Sequence, residues 1–389
     1  MRSLGLRLAF VAAAVAAPFA AVGTAQADAL PTPVMAGPLA ANASPYGIDL
    51  PDWLGDAGGK VYIGGAVTGL AYWQSNPTFA SLGDDSSLID LSNGQVFIQK
   101  TDGWLQFYAQ IGAYSFPTVG TPYTKATVAT PGSFGYVPVA YLKFQGQGDM
   151  SAWSLEGGKL PTLIGDEYPF TFQNMNIERG LLWNVEPIVS RGLQLNYSSG
   201  SLNVSVSWND GFYGNSVNWL SGLISYGFNS GADTLAFAAG GNLGHNGGLL
   251  NQGNVFDLIY THTSGPWVIS PYIQYITTPS GFFTRSTQEW GGALLVSYAF
   301  DDNWKLAGRA EYETSSGHGL FFTPNIIGYG PGSNAWSFTV TPTYQWKQFF
   351  GRAELSYIGA GDMTPGFGFG VLGTKTDQVR FMFETGILL

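Results

Sequence analysis

Hydrophobic and polar residues alternate with a period of two along most of this chain. The clearest run is 334–347, N-A-W-S-F-T-V-T-P-T-Y-Q-W-K. Trp336, Phe338, Val340, Pro342, Tyr344 and Trp346 share one face, and Ala335, Ser337, Thr339, Thr341, Thr343 and Gln345 share the other. Alternate residues of a strand point to the same side, so this pattern predicts β-strands. Residues 202–209 repeat it, with Leu202, Val204, Val206 and Trp208 against Asn203, Ser205, Ser207 and Asn209. Segment 104–114 sets Leu105, Phe107, Ala109 and Ile111 against Gln106, Tyr108 and Gln110, so that Trp104 and Tyr108 fall in the polar phase. The same logic predicts sixteen strands, at about 60–72, 92–100, 104–116, 136–146, 151–160, 191–199, 202–210, 217–228, 232–242, 254–263, 267–277, 287–300, 303–314, 334–346, 348–360 and 377–388. Fourteen or eighteen stay open, because 74–92 and 161–190 each have room to hide or lose a pair. Pro342 sits awkwardly in a central strand, since it has no N–H to give.

The connections between these strands have their own rhythm. Short ones, such as T-D-G at 101–103, S-S-G-S at 198–201, T-S-G-P at 263–266 and D-D-N at 301–303, alternate with longer ones rich in Gly, Asn, Ser and Pro. Strands that cross a membrane and return produce this pattern. With both chain ends on the periplasmic side, all seven periplasmic connections are short and the eight external ones are generally longer. Several strand lengths fit the roughly 9–11 residues that a tilted crossing needs. The expected fold is therefore all-β: a transmembrane antiparallel β-barrel, most simply of sixteen strands, with short periplasmic turns and long external loops.

The make-up of the two faces supports a lipid exterior. In a soluble sandwich the polar rows would meet water and carry many charges. Here they are mostly Ser, Thr, Asn and Gln, and only 11% of the chain is charged, against the roughly 25–35% of a typical soluble surface. The apolar rows carry aromatics near strand ends, such as Trp336 with Trp346 and Trp290 with Tyr298, as interfacial girdles do. Later segments lack the roughly 20 apolar residues of a membrane helix. A closed sheet meets the same need by pairing its own backbone groups. The chain has no Cys, so neither disulfides nor thiolate chemistry is available to it. A net charge of −10 with no basic stripe argues against nucleic acid as a partner.

The first 29 residues read as a cleaved signal peptide. Arg2 and Arg7 precede a short Ala-rich apolar run, and A-Q-A and A-D-A place cleavage after Ala27 or Ala29. Residues 30–59, rich in Pro, Ala and Gly, form a periplasmic N-terminal lead-in that reads more as a linker than as a plug. Its D-L-P-D-W-L stretch has the makings of one short helical turn. Residues 60–389 make the barrel.

Charges on the polar rows mark the candidate site. Arg309 with Glu311, Arg352 with Glu354 and Arg380 with Glu384 share inward faces of three late strands. An Arg facing lipid at mid-membrane costs about 2–4 kcal/mol, so these groups belong in the lumen. There they brace the wall, bias passing solutes, or do both. The connection 161–190 is the third external loop. It carries Asp166, Glu167, Glu178, Arg179 and Glu186 among Tyr168, Phe170, Phe172 and Trp183. Apolar side chains at that density favour a loop folded into the barrel, with its acids opposing Arg309, Arg352 and Arg380 across the opening. The alternative is a loop outside, with a small helix over N-M-N-I-E-R-G-L-L on the rim. Trp104 and Tyr108 are candidates for stacking on a solute.

The segments G-K-L-P-T-L-I-G-D-E and N-M-N-I-E-R-G-L-L-W-N-V-E-P-I-V-S-R-G-L-Q-L-N-Y resemble the beta-barrel porin-2 (OmpL-like) family. Gly157, Gly158, Asn176, Arg179, Pro187 and Gly192 are the matching positions. The overall pattern is also similar to general porins, in which the third external loop narrows a sixteen-stranded pore. The resemblance implies an outer-membrane porin of a Gram-negative bacterium. Leu389 stands where many such barrels end in Phe, with Phe381 and Phe383 nearby for the barrel-assembly machinery to read.

Enzymatic readings have little support. His245, His262 and His318 are scattered, and no spacing nominates a nucleophile with its base or a metal site. No catalytic residue, metal or cofactor is expected. Two classes remain. One is a passive diffusion channel for small hydrophilic solutes or ions. The other is a non-conducting structural or binding barrel, an adhesin or envelope anchor. Either would sit among outer-membrane lipid and lipopolysaccharide. A smoother patch at Gly291, Gly292, Ala293, Gly308 and Ala310 is a candidate surface for a homotrimer.

Overall fold

A computed structural model describes residues 35, 37–77, 84–244, 249–280, 285–317 and 323–389. The segment expected to be a signal peptide, His245 and His318 lie outside them. The chain opens with a short strand, β1 (Tyr46–Asp49), and a 3-10 turn at Asp52–Ala57, where a single helical turn was expected. There follow β2 (Lys60–Gln74), β3 (Ser87–Lys100), β4 (Leu105–Tyr114), helix α1 (Ala126–Gly132), β5 (Val139–Gln145) and β6 (Trp153–Pro161). Next come β7 (Val189–Ser199), β8 (Leu202–Asn209), β9 (Trp219–Phe228), β10 (Asp233–Asn242) and β11 (Asn254–Ser264). The chain continues through β12 (Trp267–Thr278), β13 (Thr287–Ala299), β14 (Trp304–Ser315), β15 (Asn334–Trp346), β16 (Phe349–Gly361) and β17 (Asp377–Leu388). Each strand from β2 to β17 pairs antiparallel with the next, and β17 returns to β2, which closes a sixteen-stranded barrel.

The faces are inverted relative to a soluble protein. Ser337, Thr339, Thr341 and Thr343 of β15 are buried, while Trp336, Phe338, Val340 and Tyr344 are exposed. Two belts of aromatics stand on the outside. One runs through Tyr275, Trp290, Trp336 and Tyr357. The other runs through Trp153, Tyr197, Trp267, Tyr298, Trp304 and Tyr344 at the end with the short turns. Lipid covers such a band, and water or protein covers the polar interior.

Local irregularities have physical causes. β3 begins at Ser87, five residues before the expected start. Ser92 and Asn93 are both buried, and the β2–β3 register shifts between Thr68 and Gly69. This bulge breaks the alternation at the point where the sequence pattern begins to read cleanly. Opposite Pro342 the β15–β16 ladder steps from Val340↔Leu355 to Thr343↔Arg352 without changing register. Pro271 of β12 leaves the same gap against β11, between Ile259↔Tyr272 and His262↔Ile269. A missing amide costs a ladder rung but not the strand. Alternation also corrects the candidate oligomer patch. Ala293 is buried on the lumen side, as is the edge of Gly291 against Leu182. Gly292, Gly308 and Ala310 keep the opposite, outward phase.

Candidate functional site

The connection 162–188 folds into the barrel. From Phe170 to Trp183 every residue is buried. It has no α-helix, only 3-10 turns at Thr171–Gln173 and Leu182–Val185. Some of its backbone amides donate to backbone carbonyls, and several others to carboxylates of the wall and of the loop itself. Ile177 and Glu178 donate to Glu354 of β16 at 2.5 and 2.8 Å. Gly180 donates to Glu167 at 2.7 Å, and Leu181 donates to Glu311 of β14 at 2.9 Å. A buried irregular backbone needs such partners, and ionised acceptors are the strong ones. A Cβ at residue 180 would overlap the Glu311 carboxylate, so the glycine is what allows this approach.

Arginines complete this half of the site. Arg309 contacts Glu167 at 2.6 Å and Glu311 at 3.0 Å. Arg352 pairs with Glu384 at 2.6 Å and donates to the carbonyls of Thr171 and Asn174. Arg380 pairs with Glu178 and donates to the carbonyl of Thr118. The expected same-strand pairing therefore holds only for Arg309 with Glu311. Residues two apart on a strand are about 6–7 Å apart, whereas direct cross-strand neighbours are about 5 Å apart. Arg352 and Glu384 are such neighbours. Glu354 takes backbone amides instead, with the Thr341 hydroxyl at 2.6 Å. The loop acids Glu167 and Glu178 touch arginines directly rather than facing them across an opening. Among the described residues Arg179 has no carboxylate partner in its hydrogen bonds. It grips the carbonyls of Pro117 and Ile177, and burial draws it down to about 10.

The loop's two shoulders meet a different wall. Asp166 accepts from Ser270 of β12 at 2.7 Å, Gly165 donates to Asp257 of β11 at 2.9 Å, and Glu186 accepts from Gln274 of β12 at 2.7 Å. Asp257, Gln274, Gly291 and Glu313 are successive register partners across β11 to β14, and so form one row around the wall. Leu182 fills the space over Gly291, where a Cβ would collide with it. Glu289 of β13 is fully buried beside this row. Burial, with Glu167 and Asp257 nearby, pushes Asp166 up to about 8. Burial also holds Glu186 well above the usual carboxylate range, with Asp257 and Glu167 adding to the effect.

The mouth at the short-turn end receives the N-terminal lead-in, which enters the barrel rather than trailing as a linker. Leu39 is buried with Phe97, Phe170, Phe172, Phe350 and Leu388. Ala40 exchanges two 2.8 Å hydrogen bonds with Gln345, and Lys305 donates to the Pro38 carbonyl at 2.5 Å. Gly37 lies against the Asn174 backbone of the inward loop.

Trp104 and Tyr108 are not brought together. Trp104 precedes β4, so strand alternation does not govern it, and its ring stacks at 6.1 Å on exposed Phe144. Tyr108 turns inward, stacks on Tyr141 at 5.9 Å and donates to Gln110 at 3.0 Å. His262 pairs with Asp233 at 2.6 Å near a strand end. The sequence reading missed Asp257 and Glu289. Both sit in the polar phase of their strands, the same signal that marked Arg309.

Sixteen antiparallel strands, an apolar exterior with aromatic belts and a loop folded into a polar lumen define an outer-membrane barrel of the porin class. The model of the family described as "Putative beta-barrel porin-2, OmpL-like" matches residues 60–389, and the chain belongs to that family. In fold it is similar to an anion-selective porin from Comamonas acidovorans, with a TM-score of 0.59 at 11% identity over 85% of this chain and 99% of that one. A loop-deletion form of OmpT from Vibrio cholerae gives a TM-score of 0.56 at 12% identity over 85% and 99% of the two chains. Salmonella typhi OmpF, solved with daunomycin, gives 0.56 at 12% over 88% and 100%. No curated protein matches the sequence.

Proposed function

We propose that this protein is a passive diffusion channel for small hydrophilic solutes or ions across the outer membrane, with the loop 162–188 as its constriction. The observation that carries this reading is the loop itself, seated in the lumen on charged wall residues instead of lying over the rim. A sixteen-stranded barrel is wide enough to leave an aqueous passage, and a loop held at mid-lumen narrows it. Arg309, Arg352 and Arg380, with Glu311, Glu354 and Glu384, then set the potential at the narrow point. The loop residues Asp166, Glu167, Glu178, Arg179 and Glu186 supply its other side. Tyr108 offers an aromatic face inside the barrel. Export by the 1–29 signal, assembly by the barrel machinery, contact with lipopolysaccharide, and trimer formation through the Gly292, Gly308 and Ala310 surface fit the same reading.

Single-channel recording in planar bilayers tests it. Folded, heat-modifiable protein should give open steps of porin size. Silence from such protein would favour a structural or binding barrel, a reading supported by the arm at Leu39 and the packed loop, which both occupy the lumen. Replacing Arg309, Arg352 and Arg380 together should move the reversal potential in a salt gradient.

A further inference from the structure

The arginines of the loop seat are all on one side, and on the other side carboxylates stand without them. Asp166, Glu186, Asp257, Glu289 and Glu313 are each at most 8% exposed. None forms an ion pair among the described residues. Hydrogen bonds reach one oxygen each of Asp166, Glu186 and Asp257. Asp257 Oδ1, Glu186 Oε2, Glu313 Oε2 and both oxygens of Glu289 have no hydrogen-bond partner among the described residues. A second, neutral set points the same way. The buried Tyr272 hydroxyl and Gln274 Oε1 are also without partners. Gln274 lies between Asp257, its register partner, and Glu186, to which its amide donates.

Buried carboxylates at this density must either keep their protons or be compensated by cations. We infer that this wall, formed by β11 to β14 and the shoulders of the inward loop, binds small inorganic cations. The donors are all hard oxygens, which suit alkali and alkaline-earth ions and not soft metals. Among the described residues no three acidic or histidine side chains converge tightly enough to hold a metal ion in common. The occupant is therefore an exchangeable ion held by field and by scattered oxygens, not a chelated one. In a conducting barrel this wall favours cations, because Arg309, Arg352 and Arg380 opposite are already paired with Glu167, Glu178, Glu311 and Glu384. That preference rests on the diffusion-channel reading, whereas cation binding does not.

Thermal unfolding of the folded protein in a non-ionic detergent separates the two. At constant ionic strength and pH 8, replacing choline chloride with potassium or calcium chloride should raise the melting temperature. In the near-isosteric double variant Glu289→Gln/Glu313→Gln the rise should shrink to a small fraction. Asp257→Asn alone should lose part of it, which covers failure of the double variant to fold. An equal rise in the variants, or none in the wild type, overturns cation binding. A potassium chloride gradient across a bilayer then reads selectivity. The wild-type reversal potential should lie on the cation side and move toward zero in the variant. A wild-type potential on the anion side overturns the preference. Silence in the bilayer counts against the channel reading while the melting experiment still decides the binding.

Discussion

The two walls that hold the inward loop use opposite electrostatics. On β14, β16 and β17 each arginine has a carboxylate, and Glu311, Glu354 and Glu384 are further engaged by amides or hydroxyls of the loop. On β11, β12 and β13 the loop touches carboxylates, hydroxyls and amides, with no cationic side chain in those contacts. The first wall supplies directional strength. Breaking a buried pair on one side strands the other charge, which is why such pairs are costly to disturb. The second wall is held by shape, with Leu182 over Gly291, and is charged in a way that solution conditions can alter. The same loop is thus anchored at its centre and adjustable at its shoulders.

Removing one member of a pair on the first wall should have the largest effect. Arg352→Met takes the guanidinium away from Glu384, which keeps the Thr171 hydroxyl, and from two loop carbonyls. It should destabilise the folded barrel by about 3–5 kcal/mol, read as a lower midpoint of heat-modifiable mobility. A midpoint equal to the wild type would show that this wall holds little. Steric tests come next. Gly180→Val and Gly291→Leu each fill space that Glu311 or Leu182 occupies, and overpacking of this kind costs about 1–3 kcal/mol. Both should lower the same midpoint and raise protease access to the loop. The sharpest contrast uses one substitution on both walls. Glu384→Gln should destabilise, because it weakens a charge-assisted pair, whereas Glu313→Gln should leave stability unchanged or raise it in low salt. Equal signs would collapse the distinction between the walls.

A further contrast comes from pH. Asp166 lies at about 8 in the fold against an ordinary 3.8. A carboxyl raised on folding contributes stability that is fully present below about 4 and is lost as pH rises through about 8. The melting temperature should therefore fall across that window, and Asp166→Asn should flatten the change.

The barrel was largely legible in the sequence because a period of two is imposed residue by residue. Each strand's pattern states which side meets lipid, and parity then fixes the turns. The same rule put the charged groups of β14, β16 and β17 on the buried face. What escaped were choices that alternation does not encode. Arg352 selects Glu384 over Glu354 because register between strands decides distance. Trp104 escapes the rule by standing one residue outside its ladder. Asp257 and Glu289 went unnoticed although they lie in the polar phase of their strands, and only the fold shows that no arginine among the described residues pairs with them. The lead-in carried no periodic signal at all, since Leu39 is held by a surface assembled from six distant segments.

That lead-in bears on how the cylinder closes. β1 and β17 lie along the same edge of β2. Tyr46–Asp49 pairs with residues from Lys60 to Ile63, and the chain end is bonded at Gly65 through the Leu389 amide and carbonyl. The final strand therefore has no free edge to slide into. A slip of the closing pair by two residues toward the base of β2 would drive Leu389 into the place held by Tyr46. The first segment to leave the barrel's sequence order thus serves as an end-stop, which sets the stagger at which the last strand must seal against the first.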